Sequence, residues 1–351
     1  MKNLVIDKTA VKNNLAIIKA KAKGAEIIAD LTSDAFGMGL VETARMMRDE
    51  GVGVYAVSEP RDAAKLRSAG FTQERIMMLR STADSRELSE LIDLGVICTV
   101  GSYDAAVAIN GIAEERKTAC EVQIKIDTGL GRYGFIPSEI DKIASIYKYM
   151  PNLAIVGVFS TYSQSWKSER ITRQEFETFQ QVVDKLRQLG IEVTYTHIAD
   201  SAALFKYDFG QLDAARVGTA LCGRVAGSVV PGLTKVGYIE AGVEEVGWFP
   251  KGHRVGDKIM KKASRLAVLS VGFYHGFGVN RIDYERSIFD ILKSRKMAPV
   301  VKFKGQRVKI VGRIGIQHTV IDVTDLECSV GDVVYMDVDP VNVKGLNVVY
   351  R

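Results

Sequence analysis

The sequence predicts a (β/α)8 barrel followed by a mostly β domain, and three observations carry that prediction. From residue 1 to about residue 225, short β-branched apolar runs alternate with polar turns and with segments whose apolar residues recur at helical spacing. Eight such runs in about 220 residues match the size of an eightfold strand-helix barrel. Beyond about residue 225 the beat changes to short strands separated by glycine turns, without intervening helices. The expected domains are therefore 1–225 and 226–351.

The eight runs lie near Ile27, Val54–Val57, Ile76–Leu79, Val96–Val100, Val122–Ile126, Leu153–Phe159, Val193–Ile198 and Ala214–Val217. Helical spacing is clear over Glu42–Asp49, Pro60–Ser68 and Glu175–Leu189; the last carries Phe176, Phe179, Val182, Val183 and Leu186 on one stripe. In the second domain, strands are expected at Ala267–Val271, Val300–Phe303, Val308–Val311, Val320–Val323 and Val333–Met336.

Composition narrows the class of protein. The chain has 351 residues, 47% hydrophobic and 25% charged, which supplies a large core and argues against disorder. Its 47 Lys and Arg against 42 Asp and Glu leave a net charge of +5 without a basic block, so no nucleic-acid partner is expected. No run approaches the ~18 apolar residues of a membrane span, and the N-terminus lacks the apolar core and cleavage site of a signal peptide. A cytoplasmic protein is the expectation. Cys98, Cys120, Cys222 and Cys328 form no CxxC pair, and His197, His253, His275 and His318 show no i, i+4 spacing, so no metal site is expected.

Gly129-Leu130-Gly131-Arg132-Tyr133-Gly134 satisfies GxGxxG, but it follows the fifth strand of a barrel series and not the first unit of a doubly wound sheet. A glycine-rich turn at the mouth of a barrel is the better reading. Polar residues gather just beyond the strands: Thr32 and Asp34, Lys125 and Arg132, Thr161, Asp200 and Ser201, and Arg216. In a barrel these strand ends converge on one mouth. Two guanidinium groups there favour a small carboxylate- or phosphate-bearing ligand. His275, in the glycine-pinched segment Gly272–Gly276, joins Asp34 and Asp200 as a further polar candidate.

The order of segments resembles the alanine racemase family. The resemblance is carried by Leu4–Asn14; by Ala35-Phe36-Gly37-Met38-Gly39, similar to AYGHG; and by Lys125–Arg132, similar to KxDTGMxR. Ala199–Ala203 resembles ANSAA, Arg216-Val217-Gly218 resembles RxG, Val271–Gly276 resembles VGYADG, and Val311–Gln317 resembles VGRVxMD. It implies a barrel that binds pyridoxal phosphate, a β domain, and a homodimer in which each mouth is completed by the partner. Within it, Arg216 is the partner of the pyridine nitrogen, Ser201 and Gly218 contact the phosphate, Arg132 orients the substrate carboxylate, and Lys125 is the lysine often carbamylated to anchor that arginine.

Departures from the family pattern fall on the chemistry. The Schiff-base lysine corresponds to Thr32 and the second racemising tyrosine to Phe273. A hydroxyl and a phenyl ring provide neither of the titratable groups that two-base racemisation needs. The phosphate-binding tyrosine corresponds to Phe36 and the ring-stacking histidine to Thr161. The resulting expectation is a protein that does not racemise alanine, with a mouth repurposed for a small anionic ligand or a regulatory role. An amino-acid racemase or related enzyme with altered pyridoxal-phosphate chemistry is the alternative. Without an amine at position 32 the cofactor is expected not to be held covalently, leaving non-covalent pyridoxal phosphate as the remaining option.

Overall fold

The computed structural model describes residues 1–208, 210, 212–279 and 299–351. It divides into two compact units, one of residues 10–235 and one of residues 1–9 with 236–351.

In the first unit, eight parallel strands close into a barrel: Glu26–Asp30, Val54–Val57, Arg75–Ser81, Ile97–Val100, Cys120–Lys125, Leu153–Phe159, Thr196–His197 and Ala214–Val217. Each coincides with one of the expected runs. Closure comes from the pairing of the first strand with the last, in the register Ile28 opposite Arg216. Ile28, Val54, Ala56, Met77, Ile97, Phe159 and Ala214 fill the barrel interior, as the packed core of such a barrel requires. Helices follow the strands, and Asp84, Ser102 and Ser168 cap three of them by accepting first-turn N–H groups. The helix expected from Glu175 begins at Glu169, because Ser168 supplies a cap ahead of two polar turns that carry no apolar stripe.

The second unit is an eight-stranded sheet in the order Ser264–Leu269, Thr319–Asp322, Gln306–Val311, Val301–Phe303, Val333–Asp337, Tyr238–Phe249, Lys2–Ile6 and Asn347–Tyr350. Tyr238–Phe249 pairs a second time, with Ser264–Leu269, and an irregularity between Val243 and Glu245 turns it from one neighbour to the other. The expected second-domain strands are all present. The N-terminal strand belongs to this sheet and the barrel unit runs on to residue 235, whereas a single cut at residue 225 assigns the whole N-terminus to the barrel. Among the described residues no helix is long and apolar enough to cross a membrane, and no cluster of His, Cys, Asp or Glu is arranged to hold a metal ion. All four cysteines are buried, and no disulfide forms among the described residues.

Candidate functional site: the barrel mouth

The C-terminal end of the first barrel strand enters an unusual turn. Ser33, Asp34, Ala35 and Phe36 all have φ between 55° and 57°, a left-handed conformation that disfavours L-residues by roughly 1–2 kcal/mol each. Local bonds hold it: Asp34 Oδ1 accepts from the Leu40 N–H at 2.9 Å, the Ala35 N–H donates to the Leu31 carbonyl at 2.9 Å, and the Gly39 N–H to the Asp34 carbonyl at 3.0 Å. Strain maintained in this way is characteristic of functional turns. The turn lays the Phe36 ring over Gly218, so closely that a Cβ on residue 218 would sit 2.1 Å from Phe36 Cε2.

The fifth strand ends in Lys125, and the glycine-rich segment folds back behind it. One carboxylate, that of Asp127, accepts from the N–H groups of Gly129 (3.0 Å), Leu130 (2.8 Å) and Gly131 (3.0 and 3.1 Å). The amides that would cradle a dinucleotide phosphate therefore already have an anion from within the chain. Asp127→Ala is expected to destabilise the loop by about 1–3 kcal/mol, the cost of leaving such donors without their acceptor; amide hydrogen exchange at residues 129–131 should accelerate while the barrel strands stay protected.

Lys125 itself is buried, 4% exposed. Its Nζ lies 5.4 Å from the Tyr133 ring centre and 5.6 Å from that of Phe159. Among the described residues the amine has no hydrogen-bond or carboxylate partner. Burial, reinforced by the positive charges of Arg216 and Arg132 and opposed by Asp127, pushes its pKa down to about 8.

Arg216, on the eighth strand, is buried in a polar relay. Its Nη1 donates to His197 Nδ1 at 3.1 Å and its Nη2 to Thr161 Oγ1 at 2.7 Å. A guanidinium only donates, so His197 Nδ1 accepts; the hydrogen then sits on Nε2 and is donated to Gln123 Oε1 at 2.8 Å. Burial and the neighbouring Arg216 hold His197 well below its usual pKa, which keeps it neutral. Its ring stacks on Phe159 at 4.9 Å. Ser201 Oγ accepts from the Gly218 and Ala220 N–H groups, both at 3.2 Å.

A cavity of about 330 Å³ opens at this end of the barrel, lined by Thr32, Lys125, Arg132, Thr161 and Arg216 together with Asp30, Ser33, Ser58, Glu59, Arg80, Tyr133 and Phe159. The first five were expected from the sequence; Asp30, Arg80 and Tyr133 were not. Asp30 and Arg80 stand at strand ends and Tyr133 lies in the glycine-rich segment after the fifth strand, the signals by which they could have been found. Phe36, Ser201 and Gly218, which follow the first, seventh and eighth strands, form a second cluster through the contacts of Gly218 with Phe36 and Ser201. Asp200 instead caps the helix Ser201–Lys206 through the Ala203 N–H and accepts from Ser165 Oγ at 2.6 Å. Asp34 serves its own turn. Phe273 and His275 belong to the β unit, where Phe273 is 51% exposed and His275 is buried, its Nδ1 accepting from the Gly272 N–H at 3.2 Å. Burial, then the charges of Lys2 and His318, lower the His275 pKa.

A closed parallel barrel with a cation-lined cavity at its mouth and a mostly antiparallel β unit defines a two-unit barrel protein. Residues 6–225 match the domain described as alanine racemase, N-terminal domain, and residues 236–343 the alanine racemase C-terminal domain. The chain belongs to the alanine racemase family. It is 31% identical over 342 residues to alanine racemase from Clostridium tetani, covering 94% of this chain and 84% of that protein. The enzyme from Desulfosudis oleivorans is 30% identical, with 93% and 85% covered. Among solved structures, alanine racemase from Clostridium difficile superimposes with a TM-score of 0.86 at 22% identity over 100% of this chain and 95% of that one. The Bartonella henselae alanine racemase, with covalently bound pyridoxal phosphate, gives 0.81 at 19% identity over 100% and 99%.

These relatives overturn one expectation. Thr32 implied a cofactor not held covalently, yet the chain matches alanine racemases almost end to end, and one solved neighbour holds pyridoxal phosphate covalently. The inference from Thr32 covered one position only. An amine, that of Lys125, lines the same cavity as Thr32.

Proposed function

We propose that this member of the alanine racemase family binds a small carboxylate- or phosphate-bearing ligand in its barrel mouth and does not interconvert the alanine enantiomers by the two-base route. The observation that carries the reading is the convergence of Lys125, Arg132 and Arg216 on one cavity whose acidic lining, among the described residues, is limited to Asp30 and Glu59. Arg132 is exposed and has no partner among the described residues, leaving its whole planar fork to a ligand. Support for the second half comes from Thr32 and Phe273, neither of which moves a proton near neutral pH.

Pyridoxal phosphate is the ligand to test first, and the residues present fit it. Ser201 Oγ accepts two backbone hydrogens and keeps its own for an anion. Arg216 can only donate, so a ring nitrogen set against it stays unprotonated. Lys125 supplies the amine. When bound, pyridoxal phosphate supplies an electron-accepting ring that acidifies bonds to the α-carbon of an amino acid. The neutral His197 and the Phe159 ring, stacked on one another, back this side of the cavity and hold Arg216 in place.

Equilibrium dialysis of the full chain against pyridoxal phosphate, and against pyridoxine phosphate, tests the reading. One molecule retained per chain is expected. Loss of both ligands from the protein compartment refutes it.

A further inference from the structure

We propose that Lys125 is the carbonyl-reactive amine of the barrel mouth and captures the aldehyde of an anionic ligand as a covalent imine. This rests on the anion-binding reading of the mouth. Three features of its setting point the same way.

Among the described residues Lys125 is the one lysine that lines the cavity, so an aldehyde held there by Arg132 and Arg216 meets no competing amine from them on the cavity wall. Its Nζ is unpartnered among the described residues and faces two aromatic rings. The carboxylate that could have paired with it, Asp127, accepts instead from the amides of residues 129–131. Thr32, at the position that carries an amine in the family, lines the same cavity and cannot itself condense with a carbonyl.

The step balances without any further reagent. The neutral amine's lone pair attacks the carbonyl carbon; the C=O bond breaks as C=N forms, and the oxygen leaves as water carrying both amine hydrogens. Only the unprotonated amine reacts. The charged groups around the cavity are Arg216 on the eighth strand, Arg132 and Asp127 on the loop that follows Lys125, Asp30 on the first strand, and Glu59 and Arg80 after the second strand and on the third. Burial, then the charges of Arg216 and Arg132 against that of Asp127, bring the Lys125 pKa to about 8, against about 10.4 for an ordinary lysine.

The test treats the full chain with pyridoxal phosphate in buffer purged of carbon dioxide, since a carbamate on the same nitrogen blocks attack, then reduces with borohydride and maps the label by peptide mass spectrometry. One phosphopyridoxyl group per chain on Lys125 is expected, with a capture rate that rises through about pH 8. A visible absorption band that borohydride bleaches should accompany it. Lys125→Arg keeps the charge and removes the nucleophile; it should lose both band and label and still retain pyridoxine phosphate, the same anion without the aldehyde, which also shows that the variant folds. Label on another residue, or spread evenly over surface lysines, overturns the assignment of Lys125. Retention of pyridoxine phosphate with no label on Lys125 overturns the assignment while leaving the anion site standing. Failure to retain either compound overturns the anion site and this proposal with it.

Discussion

Gly218→Ala is expected to lower the stability of the barrel unit by about 1–3 kcal/mol, the usual range for overpacking, equivalent to a fall of roughly 2–4 °C in Tm per kcal/mol for a unit of this size. The added Cβ would stand 2.1 Å from Phe36 Cε2 and 2.6 Å from Cζ. An aromatic ring on a relaxed backbone could swing aside. Phe36 is less free, because it closes a run of four left-handed residues pinned by the Leu31 and Asp34 carbonyls and the Asp34 carboxylate. Thermal unfolding of Gly218→Ala, Phe36→Ala and the double variant measures the coupling. Most of the penalty should vanish when both changes are present; full additivity would mean that the contact is not the cause.

Arg216→Met separates stability from binding. Removing the guanidinium takes away bonds to His197 and Thr161, each worth about 1.5–3 kcal/mol for a charged donor. It also relieves the several-kcal/mol penalty of burying a cation with no carboxylate bonded to it. The two nearly offset, so the unliganded protein should keep its Tm to within a few degrees. Affinity for an anionic ligand should fall by about 10–150-fold, the equivalent of one lost charged hydrogen bond. Dialysis of Arg216→Met against pyridoxine phosphate gives the number, and unchanged affinity would remove Arg216 from the site.

The barrel was legible because its strands, covered on both faces, read as near-continuous apolar runs such as Val54–Val57 and Ile97–Val100, buried throughout. The longest strand of the β unit, Tyr238–Phe249, was not. It contains Glu240, Glu244, Glu245 and two glycines, and Glu240 is only 2% exposed because Arg351, 111 residues away, binds both its oxygens. No local pattern encodes that partnership. The same holds for Lys2–Ile6, whose neighbours Tyr238–Ala241 and Asn347–Tyr350 lie at the far end of the chain.

The mouth was legible as a ring of polar strand ends, which located Lys125, Arg132, Thr161 and Arg216. What each does there was not, since it depends on neighbours from other strands. Asp200 read as a polar candidate of the mouth and is a helix cap. Lys125 read as an accessory to Arg132 and is an amine facing two rings, unpartnered among the described residues, with its nearby carboxylate occupied elsewhere. Gly218 gains a local reason for being glycine only when the left-handed turn delivers Phe36 to it.

On the proposed function, the mouth binds an anion without racemising alanine. The most direct test of that reading incubates the purified chain with pyridoxal phosphate and L-alanine and follows D-alanine by chiral chromatography. With a hydroxyl at position 32 and a phenyl ring at position 273, D-alanine should form no faster than with free pyridoxal phosphate in the same buffer. Conversion to an equal mixture of enantiomers over many turnovers per chain would contradict the account.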